Sequence, residues 1–139
     1  MKEVTRQMIK EFSLNKLKFD FMGYTFNNTN QLSFHHLIIP HRECKRLRYG
    51  EGYYRWNGAI LRQNTSHEYL HVIENYDHDR FLAITSEMID QNVLGRLDID
   101  NLKAIRDVLL SFEKEYKDQT NKKGRRLIKY EYINNRIKL

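Results

Sequence analysis

The sequence predicts an α+β fold on three observations. Strand-like stretches with aromatic or apolar content occupy residues 17–26, 32–39 and 59–61. Val4, Met8 and Phe12 recur every four residues, so residues 2–12 form a short amphipathic helix. Leu102, Ile105, Leu109, Phe112 and Tyr116 keep a 3–4 spacing that marks a longer helix near the other end.

In chain order, the 17–26 segment carries Gly23 as a candidate bulge and is followed by the turn cluster NNTN at 27–30. Pro40, the only proline, stops the 32–39 strand. Residues 41–56, with Gly50 and Gly52, are expected to form an irregular functional loop before the short strand at 59–61. Thr65-Ser66-His67-Glu68 fits a capping box that opens a helix running to Tyr76. On that helix Tyr69, Val72, Ile73 and Tyr76 share one face, with His67, His71 and Glu74 on the other. A helix over 79–92 and another capped by Asp98 or Asp100 make a helical hairpin spanning 79–117. No linker or repeat interrupts the chain, so residues 1–139 are expected to form a single domain.

Composition narrows the class. A chain of 139 residues can bury a core without staples, and 40% hydrophobic with 12% aromatic residues argues against disorder. Cys44 stands alone, which excludes an internal disulfide and a Cys-rich zinc site. With no signal-like segment and no apolar run of membrane length, a cytoplasmic protein without membrane contact is expected. The net charge of +6 lies wholly in residues 121–139, where seven Lys/Arg face one acidic residue. Residues 41–62 are locally basic through Arg42, Lys45, Arg46, Arg48, Arg55 and Arg62.

Four histidines within 37 residues carry the chemistry: His35 and His36 on the strand, His67 and His71 one turn apart on the helix. Adjacent strand residues face opposite ways, so His35 and His36 cannot share one role. His67 and His71 share a helix face at the spacing that lets two imidazoles hold one cation.

FHHLIIP at 34–40, the Gly-containing loop, Asn57 and His67-x-x-x-His71 resemble the HNH endonuclease superfamily, most closely its double-histidine colicin-DNase-like type. The resemblance covers residues 32–76. It implies a ββα-metal core flanked by helices, and metal-dependent hydrolysis of DNA phosphodiester bonds. His36 matches the general base, and Asn57 the residue that orients the base and steadies the loop. His35, His67 and His71 match metal ligands for one divalent ion, Mg, Mn, Ni or Zn. Three imidazoles without a carboxylate favour a transition metal over Mg²⁺.

The expected partner is DNA, with RNA as the other candidate polymer, bound by a monomer or a homodimer. Phosphate contacts are expected from Arg42, Lys45, Arg46, Arg48 and Arg62, and from Lys122, Lys123, Arg125 and Arg126 in the tail. Plainer readings stand beside these. Asn57-Gly58 also fits a simple turn, Asn64 is a second middle residue, and Glu74 also fits a solvated helix charge. His41 and His78 lack motif support and are taken as surface residues. Leu127, Ile128, Tyr130, Tyr132 and Ile133 can pack as a strand with the tail charges outward. The alternative function is a weak or inactive HNH-fold protein that binds nucleic acid or a protein partner.

Overall fold

A computed structural model describes residues 2–46, 56–129 and 131–139. It is α+β, with helices around a small two-stranded antiparallel sheet. Helix α1 (Glu3–Glu11) lies where its apolar spacing placed it and buries Val4, Met8 and Ile9. A single turn, α2 (Leu14–Leu17), follows through Ser13 in the left-handed region.

The strand expected over 17–26 does not form. Isolated bridges alone join Phe19 to Thr25 and Tyr24 to Arg136, because the buried Asp20 carboxylate captures the amides of Met22 at 2.8 Å and Tyr24 at 3.0 Å. A side chain that offers the backbone such bonds competes with a ladder and curls the chain into a turn. Gly23 sits in that turn at φ 87°, where an added Cβ would meet the Arg136 guanidinium at 2.8 Å. It is a site of close approach, not a strand bulge.

Strand β1 (Leu32–His36) pairs with β2 (Gly58–Arg62), in a register that runs from Leu32 opposite Arg62 to His36 opposite Gly58. β1 ends three residues before the expected 39, as Asn57 Oδ1 takes the amides of Ile38 and Ile39 at 2.9 and 2.7 Å. The first part of the expected loop is helical: α3 (His41–Arg46) starts directly after Pro40, whose carbonyl accepts from Glu43 and Cys44. Residues 47–55 of that loop lie outside the described residues.

Helix α4 (Ser66–Tyr76) begins at the expected place without the expected capping box. Thr65 Oγ1 donates back to the Gln63 carbonyl, and Glu68 pairs with Lys129 at 3.4 Å. Ser66 instead ties the helix start inward, giving its hydroxyl to Asp20. Helices α5 (His78–Leu94) and α6 (Ile99–Tyr116) form the predicted hairpin, with Asp98 as the N-cap of α6 and Gly95 closing α5 at φ 71°.

Among its described residues the tail forms no strand. After a turn at Gly124, Leu127 and Ile128 are buried and a short helix, α7 (Glu131–Asn134), places Tyr132 in the core. Residues 135–137 then return to the Gly23 turn, through Thr25 N–H to Asn135 O and Ile137 N–H to Gly23 O. One apolar cluster takes side chains from Val4 to Tyr132, with Phe21, Ile60, Leu70, Ile84 and Phe112 fully buried. Among the described residues no helix is long and apolar enough to cross a membrane.

Candidate metal centre

Strand alternation sorts the paired histidines. His35 turns toward α4, where its ring centroid lies 4.9 Å from His67 and 5.0 Å from His71. His36 follows Phe34 on the other face, with their rings 4.9 Å apart. The residues directly across in β2 are Ala59 for His35 and Gly58 for His36, so neither ring meets a large cross-strand neighbour. Both border a cleft of about 490 Å³ that also takes in His41, His67, His71, Glu74 and Lys2.

The candidate ligand atoms of His35, His67 and His71 lie within 4.8 Å of one another. Imidazole nitrogens sharing a tetrahedral ion at about 2.0–2.1 Å stand roughly 3.3 Å apart, so the widest separation would close by ~1.5 Å. His71 is the exposed member of the set. His35 is only 5% exposed, and its Nε2 has no hydrogen-bond partner among the described residues. A buried polar nitrogen without a partner is costly, and a cation would satisfy it.

The electrostatics keep lone pairs available. Burial, reinforced by His67, His71 and His36, pushes His35 down to about 3. Burial first and His71 second push His67 down to about 4. His36 is likewise lowered to about 4, by burial and then by His41, Lys2 and His67. These three rings are neutral at pH 7, the form that binds a metal or accepts a proton.

The helix histidines carry oxygen partners on their Nδ1 atoms. Ser33 Oγ lies 2.6 Å from His67 Nδ1, and Glu74 Oε1 lies 3.4 Å from His71 Nδ1. Ser33 was missed in the sequence, although its place two residues before His35 puts it on the same strand face. His41, expected as a surface residue, is exposed but sets its ring 5.0 Å from His36. Pro40 brings it there by opening α3 directly after it. His78 is exposed and its ring lies near Phe81.

Asn57 is buried and acts on the main chain after the histidine pair. Beyond the two amides it accepts, its Nδ2 donates to Ile39 O at 2.7 Å and to Cys44 Sγ at 3.5 Å. It fixes the path from β1 into α3. Asn64 sits in the left-handed region at φ 61°, in the turn before α4.

Of the basic residues, Arg42, Lys45 and Arg46 project from α3 to solvent, and Arg46 pairs with Glu43. Arg48 lies outside the described residues. The Arg62 guanidinium donates to Thr25 O at 3.0 Å, at the end of β2 remote from His36. Lys122, Lys123, Arg125 and Arg126 are exposed around a turn whose amides Asn121 Oδ1 accepts. A separate cavity of about 260 Å³, walled by Tyr24, Tyr69 and Tyr132, has no histidine in its lining. No protein-family model, curated protein or solved structure matches the chain.

Proposed function

We propose that this chain is a metal-dependent endonuclease of the HNH, or ββα-metal, type that hydrolyses DNA phosphodiester bonds. The observation that carries the reading is the gathering of His35, His67 and His71 within 4.8 Å beside His36. His35 and His36 come from β1 and His67 and His71 from α4, which supports the reading by the HNH resemblance.

His35, His67 and His71 would hold one divalent cation, and three neutral nitrogens suit Mn²⁺, Ni²⁺ or Zn²⁺ better than Mg²⁺. Such a cation, when bound, withdraws charge from the scissile phosphate and the leaving oxygen. His36 accepts the proton of the attacking water on its imidazole. Its lowered pKa leaves it unprotonated at neutral pH, and repulsion from His41 and Lys2 contributes to that lowering. The negative charge of an arriving phosphodiester offsets this repulsion and raises the basicity of the ring. Asn57 holds the chain that follows His36, so the base keeps its place while α3 presents Arg42 and Lys45 to flanking phosphates.

The test is incubation of supercoiled plasmid with the protein and Mg²⁺, Mn²⁺, Ni²⁺ or Zn²⁺, with chelator as control. Nicked circles that disappear with chelator are expected. Intact plasmid under every metal, with DNA still bound, rejects the enzyme in favour of a binding module.

A further inference from the structure

We infer that Ser33 is a positioning residue that decides which nitrogen of His67 faces the cleft; the inference rests on the metal reading of the site. The Ser33 hydroxyl touches two groups, the Leu61 carbonyl at 3.2 Å and His67 Nδ1 at 2.6 Å. It has one proton to give. The carbonyl can only accept, whereas the ring nitrogen can give or take. When Ser33 donates to Leu61, its lone pairs receive Nδ1–H, and the relay His67 to Ser33 to Leu61 uses each proton once. His67 then keeps its lone pair on Nε2.

The opposite arrangement spends the Ser33 proton on Nδ1 and puts a hydrogen on Nε2, removing a donor from the cluster. The neighbouring histidine offers the matching nitrogen. Its Nδ1 faces the Glu74 carboxylate, and donating to it puts hydrogen on His71 Nδ1 and a lone pair on Nε2. With the buried Nε2 of His35, the three rings then offer the same atom. Outer partners of this kind set the tautomer and orientation of metal-binding histidines. Ser33 does so from β1, where the bond to β2 through Leu61 also fixes its own rotamer.

The experiment uses the full chain as wild type, Ser33→Ala and Ser33→Thr. Proton–nitrogen correlation spectra of the metal-free protein read the His67 tautomer, calorimetry reads Zn²⁺ affinity, and thermal melts confirm folding. The wild type is expected to show His67 with hydrogen on Nδ1. Ser33→Ala should move it toward the Nε2–H form and weaken Zn²⁺ binding by about 10–100-fold, with Ser33→Thr restoring both. A wild-type His67 with hydrogen on Nε2 overturns the inference whatever the variants do, including a variant that fails to fold. Unchanged affinity in a folded Ser33→Ala overturns it alone. A wild type that binds no Zn²⁺ overturns the metal reading and the inference with it.

Discussion

The carboxylate of Asp20 accepts the hydroxyl of Ser66, 46 residues further along the chain, and both side chains are fully buried. The same carboxylate holds the amides of Met22 and Tyr24 with one oxygen and that of Arg62 with the other. One buried side chain thus joins the 20–24 turn, the end of β2 and the first residue of α4, whose next residue is His67. Asp20→Ala should cost about 3 kcal/mol or more in urea unfolding, because it strands several buried donors at once. A loss under about 1 kcal/mol would mean that water replaces the carboxylate.

His36→Ala should lower plasmid cleavage by about 10²–10⁴-fold with little change in Zn²⁺ or DNA affinity. His67→Ala should lose the metal as well. Equal rates for wild type and His36→Ala would move the base to another residue, and His41 stands closest in arrangement.

Acid should weaken the metal-free protein as the pH falls below neutrality. His35, His36 and His67 are lowered in the fold from 6.5 to about 3, 4 and 4. The unfolded chain therefore takes up protons below about pH 6.5 that the folded chain refuses until about pH 4. Stability is whole above that window and drains away through it. Asp20, raised by burial, acts in the opposite sense and offsets part of the loss. Urea midpoints from pH 7.5 to 4 should fall, less steeply in His35→Gln; a flat profile would contradict the account.

Replacing Lys122, Lys123, Arg125 and Arg126 together with Gln should flatten the slope of log affinity against log salt by up to ~3–4 units. The four side chains are exposed and the turn beneath them is framed by Asn121, so the melting temperature should hold. An unchanged slope would assign the DNA contacts to α3 and the residues after it.

The elements with long apolar periods were legible: α1, the hairpin of α5 and α6, and the start of α4 all follow from spacing. What escaped were places where one polar side chain takes amides from the backbone. Asp20 turns a strand-like sequence into a loop, and Asn57 ends β1 early. The Asn57 partnership is not visible locally, since Ile38 lies 19 residues away, and the burial that holds Asp20 in its local turn comes with Arg62, 42 residues on. That His67 and His71 share a helix face was legible because the helical period is regular; their closeness to His35 was expected from the HNH resemblance. Ser33 was not, because its pairing with His67 depends on how α4 lies across β1.

The return of residues 135–137 to the Gly23 turn bears on the order in which the protein is made. All four histidines of the cluster leave the ribosome long before Asn135, Arg136 and Ile137 do. Until those residues arrive, the turn lacks the bonds to Thr25 and Gly23, and the Arg136 guanidinium is missing from the Met22 carbonyl. That turn holds Asp20, and Asp20 holds the start of the helix that bears His67. Pairing of such distant segments is slow to form. A growing chain therefore carries the four histidines before it carries the frame around them, and assembly of the site waits on residues 135–137.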